Sequence, residues 1–271
     1  MQWSFSADVR RAHAVLASNC FYPLAVCSAL SLGFLVTRFG FTGSMRYRFL
    51  VWNLFLAWVP YGCAVALSWL NEEETRRERR GYTKRFAELA QVALATMWLV
   101  TFPNAPYILT DLVHLLRGPV FRWWFDVGLI CSFALTGCFL GLVSLRMVHT
   151  MVRTHCGELI GWLSIVICTT LGGFGVYLGR FLRFNSWDVL TEPWRVFRAI
   201  AVRIFDPLNH SQAYGVTMMF AALLLACYVV FISAGTVQEG QDISMKVSVR
   251  LRLTARRAGL KIKLLQGTAR L

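Results

Sequence analysis

Residues 125–145 read FDVGLICSFALTGCFLGLVSL, and this run decides the class of fold. Asp126 is its only charged residue. A helix that crosses the hydrocarbon core of a bilayer needs about 20 mostly apolar residues, so the run predicts a membrane-spanning helix. The whole chain agrees, because 56% of its 271 residues are hydrophobic and only 15% are charged, against roughly 25% charged residues in soluble domains.

Five further stretches are long and apolar enough to cross a membrane. In lipid, backbone polar groups must be satisfied internally, which leaves helices or closed barrels, and the alternating strands typical of a barrel do not occur. The sequence therefore predicts an all-α polytopic bundle in the cell (inner) membrane. We expect one transmembrane domain at 1–235 and a basic cytoplasmic tail at 236–271. The predicted spans are residues 18–37, 50–70, 86–102, 125–145, 157–179 and 215–234.

Lys and Arg residues predict the orientation of the bundle, because cytoplasmic loops are enriched in both. The side that carries the two termini holds 18 of them and the other side holds 10. The C-terminal tail supplies 8 of the 18, and without it the two sides are equal. We therefore expect both termini in the cytoplasm and the loops after spans three and five outside it.

Two polar stretches follow odd-numbered spans. FPNAPYILTDLVHL (102–115) comes after span three, and YLGRFLRFNSWD (177–188) comes after span five. Odd-numbered spans end on the same side of the membrane, so both stretches are predicted to share one face. Spans two and four begin at that face, which adds Asn53 and Asp126. The candidate binding residues there are Asn104, Tyr107, Asp111, His114, Asp126, Arg180, Arg183, Asn185 and Asp188.

Prolines shape the first of these stretches. Pro103 and Pro106 cannot continue the third span, and Pro106 can serve as the first residue of a new short helix. This helix is predicted to lie in the interface or to re-enter the bundle. Within it, the spacing of Tyr107, Asp111 and His114 places their side chains along one edge, which is predicted to face a cavity.

The second polar stretch predicts an amphipathic helix on the membrane surface after span five. Asn185 or Ser186 is suited to cap its N-terminus, and apolar residues recur at helical spacing from Trp187 to Phe205. Such a helix accounts for the polar residues at its start without any binding role.

Small residues in two spans predict close packing of helices. Gly137-xxx-Gly141 and Gly175-xxx-Gly179 both fit the small-xxx-small pattern.

Charges at membrane depth are expected to be paired, because an unpaired one costs roughly 2.5–3.5 kcal/mol on insertion scales. We therefore predict that Arg180 or Arg183 pairs with Asp111, Asp126 or Asp188.

The chain resembles a bacterial integral-membrane family catalogued as domain of unknown function 1361. The resemblance rests on three stretches in this order, WNLFLAWVPY (52–61), FPNAPYILTDLVHL (102–115) and GRFLRFNSWD (179–188). It covers about residues 30–235. It implies a multi-pass bacterial membrane protein and carries no activity or cofactor with it.

Three functions remain open from these residues. The leading hypothesis is a polar pocket at the extracytoplasmic face that binds or transports an anionic small molecule or a lipid head group between Arg180 and Arg183. The first alternative is a membrane enzyme in which Asp111 and His114 form an acid–base pair or ligate a metal beside another aspartate of this face. The second is a structural or assembly protein in which the polar cluster only holds helices together.

The expected partner is the lipid bilayer. Nucleic acid is not expected, although the net charge is +14, because the basic residues flank the spans, where topology and anionic lipid explain them. No cofactor and no catalytic residue can be named from the sequence.

Overall fold

The computed structural model describes residues 15–16, 19–78, 85–116 and 123–235, and these residues form helices without any strand. Within them, six helical segments are long and apolar enough to cross a membrane. This confirms the predicted all-α polytopic bundle. The six segments are Phe21–Thr42, Phe49–Glu73, Glu88–Leu115, Trp123–Cys156, Glu158–Phe181 and Ser211–Gly235.

The helices are numbered here in chain order. A 3₁₀ helix, Ile108–Leu116, directly continues α4. The helices are α1 Phe21–Thr42, α2 Phe49–Glu78, α3 Arg85–Thr101, α4 Asn104–Tyr107, α5 Trp123–Cys156, α6 Glu158–Phe181, α7 Asp188–Thr191, α8 Pro193–Phe205 and α9 Ser211–Gly235.

The chain divides between Ala226 and Cys227 into two compact units. All contacts described below lie within the first unit. The predicted tail at 236–271 lies outside the described residues, so the predicted domain division stays a prediction.

Helix α5 forms the centre of the first unit. It packs against α1, α2, α4, α6 and the 3₁₀ helix. Of its apolar window 61% is buried, against 22–44% for the other spans, so it is the span most enclosed by protein. Its wholly buried side chains include Ile130, Phe133, Leu140 and Leu145.

Helix α5 also extends well beyond its predicted end at residue 145. Its 34 residues give a length of about 51 Å at 1.5 Å per residue, whereas the hydrocarbon core is about 30 Å thick. The apolar run ends before Arg146, but no residue there breaks a helix. The helix ends next to Gly157, whose φ of 90° is a conformation that favours glycine.

The proline-containing stretch interrupts the third span for only two residues, Phe102 and Pro103. Pro103 itself has helical angles (φ −58°, ψ −22°), and the Tyr107 N–H donates to its carbonyl at 3.0 Å. Helix α4 begins at Asn104, so the prediction that the new helix starts at Pro106 is wrong by two residues. Pro106 is tolerated there because the first four N–H groups of a helix have no intrahelical partner.

Glycines of α5 hold this stretch closely on one side. A Cβ atom at Gly137 would lie 2.7 Å from the Ala105 carbonyl oxygen, and one at Gly141 would lie 3.1 Å from the Ala105 Cβ. The predicted role of this glycine pair in close packing is confirmed, with the segment Phe102–Tyr107 as its partner.

Glycines of α6 hold the same segment from the other side. A Cβ at Gly175 would overlap the ring of Pro103, and one at Gly179 would lie 3.2 Å from the Tyr107 ring. The segment Phe102–Tyr107 is therefore enclosed between two glycine pairs, each one turn of helix long.

The amphipathic helix predicted from Trp187 to Phe205 is present as α8, but a break at Glu192 separates it from the short helix α7, so its predicted start is wrong. A residue before proline is disfavoured in the α region, and Glu192 has φ −133° and ψ 54° while Pro193 begins α8. The predicted cap is also wrong. Trp187 occupies the N-cap position of α7 without a side-chain bond.

Candidate functional site

Arg180 joins the two polar stretches. Its NH1 group donates to Asp111 Oδ1 at 3.3 Å and to the Tyr107 hydroxyl at 3.4 Å, and its NH2 group donates to the Thr110 carbonyl at 2.9 Å. The predicted pairing of Arg180 with a carboxylate of this face is confirmed by the contact with Asp111. The end of α6 is thus tied to α4 and the 3₁₀ helix by one guanidinium.

Asp111 is the buried anchor of this contact, with a side chain that is 1% exposed. While Oδ1 accepts from Arg180, Oδ2 accepts from Asn53 Nδ2 at 2.7 Å. Asn53 belongs to α2, so the carboxylate connects three parts of the bundle. Both of its oxygens are satisfied and its charge is balanced, which is the condition under which a buried carboxylate is tolerated.

A second bond between the stretches runs from Asn104 Nδ2 to Ser186 Oγ at 2.9 Å. The neighbouring Asn185 donates its backbone N–H to Asp188 Oδ2 at 2.7 Å. Asp188 therefore stabilises the turn that leads into α7, as the explanation without a binding role expects.

Arg183 differs from Arg180 in both conformation and partners. Its φ of 60° lies in the left-handed region, which costs a residue with a Cβ roughly 1–2 kcal/mol. It occupies the position after the α6 C-cap, Leu182, where glycine or asparagine is usual. The side chain is exposed, and the described residues offer it no hydrogen-bond or ion-pair partner.

A cavity of about 490 Å³ lies beside these contacts. The lining contains two arginines, and no carboxylate of the described chain belongs to it. Asp111 lies behind the wall, bonded to Asn53 and Arg180. Six of the predicted residues line the cavity: Asn104, Tyr107, His114, Arg180, Arg183 and Asn185.

His114 contributes its partly exposed imidazole to the cavity wall. Its Nε2 lies 3.9 Å from Asp111 Oδ1, which is too far for a hydrogen bond. The ring packs against Phe49 at 4.7 Å between centroids. The backbone carbonyl of His114 accepts a hydrogen bond from the Arg46 guanidinium at 3.0 Å. Within the described ranges no three His, Cys, Asp or Glu residues are arranged to hold a metal ion, so the metal alternative finds no third ligand there.

A family model described as "Protein of unknown function (DUF1361)" matches residues 52–227. The chain belongs to this family. The match is narrower than the predicted 30–235, but it includes every residue that lines the cavity, from Trp52 to Val196. No curated protein and no solved structure matches the chain.

Asp126 lies within the residues that the DUF1361 model matches, but Arg38, with which it forms an ion pair, lies outside them. Arg38 donates from Nε to Asp126 Oδ1 at 2.7 Å, and both side chains are buried, at 4% and 0% exposed. Asp126 does not line the cavity, although the sequence placed it with the other candidate residues. Sequence reasoning missed Arg38. The signal was present, because Arg38 directly follows span one, and odd-numbered spans end at this face.

Tyr47 contacts both members of this buried ion pair. The centre of its ring lies 4.5 Å from the Arg38 guanidinium and 5.1 Å from the Arg46 guanidinium, and its hydroxyl donates to Asp126 at 3.5 Å. Burial raises the pKa of Tyr47, the Asp126 carboxylate raises it further, and the two arginines lower it. The hydroxyl is therefore protonated at neutral pH and available as a donor.

Proposed function

We propose that this membrane protein binds an anionic group in the cavity, with Arg183 as the principal cation. The observation that carries the proposal is the state of Arg183. It is a charged side chain at the cavity wall, held in a strained backbone conformation, without a partner among the residues described. Strained backbone conformations concentrate at functional sites. Where no side chain is needed, glycine is the usual residue at this position after a helix.

The charge of the lining supports an anion. Arg180 is balanced by Asp111, whose carboxylate lies behind the wall with both oxygens bonded. Arg183 is not balanced, so the two arginines and one buried aspartate leave one net positive charge at the cavity. Arginine suits oxyanions because its planar group donates two parallel hydrogen bonds.

Neutral donors complete the site. Tyr107, Asn104, Asn185 and Ser186, whose side chains carry hydroxyl or amide groups, line the same cavity. Such donors orient a bound oxyanion without adding charge.

The geometry favours binding over the two alternatives. A carboxylate-assisted base is disfavoured, because Asp111 is engaged by Asn53 and Arg180 and lies 3.9 Å from His114. A purely structural lock would close tightly, whereas about 490 Å³ remains open here, which is within the usual range of roughly 300–1,000 Å³ for ligand sites. The proposal includes the orientation expected from Lys and Arg, with the cavity at the extracytoplasmic face.

The test compares Arg183→Gly with wild type in the full chain, reconstituted in nanodiscs of neutral phosphatidylcholine. Glycine removes the cation and also relieves the left-handed strain, so the variant should fold at least as well as wild type. Inorganic phosphate and sulfate are the probes, and thermal unfolding is the readout.

We expect phosphate or sulfate to raise the unfolding temperature of wild type but not that of Arg183→Gly. Arg198→Gln is the matched control, since Arg198 is also exposed but does not line the cavity; it should respond like wild type. A wild type without any response, or an Arg183→Gly variant with the full response, would overturn the proposal.

A further inference from the structure

Apolar side chains form a second wall of the cavity. Trp52 and Leu56 come from α2, Val100 from α3, Val189 from α7 and Val196 from α8. The polar residues, by contrast, come mainly from the two motif stretches. A small hydrated anion gains nothing from an apolar wall, whereas a hydrocarbon group is removed from water by it.

The apolar wall continues to the outer surface of the bundle at Trp52. This residue lines the cavity and is also 52% exposed. Its ring contacts Phe55 at 5.4 Å and Trp187 at 6.3 Å between centroids, and those two are 56% and 41% exposed. Exposed apolar side chains of a membrane span face lipid, and tryptophan favours the interface between lipid and water.

Helices α7 and α8 contribute to this apolar wall and also expose apolar side chains on their outer surface. Val196 of α8 is buried and lines the cavity, while Trp194 and Phe197 on the other side of that helix are 73% and 61% exposed. Leu190 of α7 is 85% exposed. An outward apolar stripe on a short helix between two spans is typical of a helix embedded at the bilayer interface.

We infer that the ligand is an amphiphile, a phosphate head group carried on a hydrocarbon chain. The head group lies at Arg183 beside Arg180, and the chain follows the apolar wall past Trp52 toward the bilayer. Phosphate is favoured over carboxylate because its three terminal oxygens use more of the donors that line the cavity. This inference rests on the proposed anion site, and it specifies a lipid source because the apolar wall reaches the lipid-facing surface.

The experiment is a series of monoalkyl phosphates, from methyl to butyl, hexyl and octyl phosphate, with inorganic phosphate as the free-anion arm. The full chain is held in phosphatidylcholine nanodiscs, and binding is read as the difference between wild type and Arg183→Gly, which removes simple partitioning into the bilayer. Affinity should rise about fourfold for each methylene that enters the apolar part of the cavity.

The variant Trp52→Ala distinguishes the contribution of the apolar wall to binding from that of the polar wall. We expect it to weaken octyl phosphate binding about tenfold and to weaken methyl phosphate binding much less. Trp124→Ala is the matched control, because Trp124 is 80% exposed and does not line the cavity, and it should leave both affinities unchanged.

The outcomes keep the two proposals apart. Equal affinity for methyl and octyl phosphate would overturn the amphiphile and leave the anion site standing. Octanol that binds as tightly as octyl phosphate would overturn both, and so would a series in which no phosphate binds.

Discussion

The enclosure of the segment Phe102–Tyr107 by glycines makes a quantitative prediction for Gly137→Ala. A Cβ atom there would lie 2.7 Å from the Ala105 carbonyl oxygen and 2.9 Å from Ile108 Cδ1, both well inside van der Waals contact. The carbonyl is backbone, and Ala105 is completely buried. The oxygen can therefore move only if the whole segment moves against α6.

The magnitude follows from a comparison within one helix. Gly128 also lies in α5, and a Cβ atom there would meet nothing within 4 Å. Replacing glycine by alanine in a helix gains up to about 1 kcal/mol from backbone propensity, and this gain applies to both positions. The difference between Gly137→Ala and Gly128→Ala therefore isolates the overpacking, which typically costs about 1–3 kcal/mol.

The assay is equilibrium unfolding of both full-length variants in the same mixed micelles. We expect Gly128→Ala to equal or exceed wild type in the free energy of unfolding, and Gly137→Ala to fall below Gly128→Ala by about 1–3 kcal/mol. If the two variants are equally stable, the proposed enclosure of Ala105 is refuted.

Three further predictions concern the buried charges and the orientation. Asp111→Ala leaves the Arg180 charge without its counter-charge, so it should lower the free energy of unfolding by about 3–5 kcal/mol, measured as unfolding and as folded yield. Arg38→Met should cost a similar amount by leaving Asp126 uncompensated, and the double variant Arg38→Met/Asp126→Leu should recover most of the loss; a double variant no better than the single one would contradict the pairing. Reporter fusions in the loops after spans three and five should be active only outside the cytoplasm, and activity only inside would reverse the orientation while leaving the cavity unchanged.

Much of the fold could be predicted because hydrophobic length and the parity of spans are properties of the chain itself. The six spans and the meeting of the two polar stretches needed no knowledge of which helices are neighbours. The glycine pairs in α5 and α6 were also recognisable, since small residues four apart serve little purpose in a span other than close approach.

Which charged residues pair with each other was less predictable, because it depends on which helices are neighbours in the bundle. Parity placed Asp126 and Arg180 at the same face, but only the packing of α1 beside α5 decides that Asp126 pairs with Arg38. Local backbone effects explain the other errors. Hydropathy could not show that α4 tolerates Pro106 in its first turn, or that Pro193 divides the predicted surface helix at Glu192.

The enclosure of Phe102–Tyr107 has a mechanical consequence. The glycines let α5, the segment and α6 pack closely together, so we expect this side of the cavity, which also carries Arg180, to move least. The opposite side is built differently. Helix α8 is attached near its C-terminal end, where Arg203 Nε donates to the Tyr177 hydroxyl at 3.2 Å, and it is separated from α7 by the break at Glu192. We therefore expect a widening of the cavity on this side to come from a movement of α8 toward the lipid.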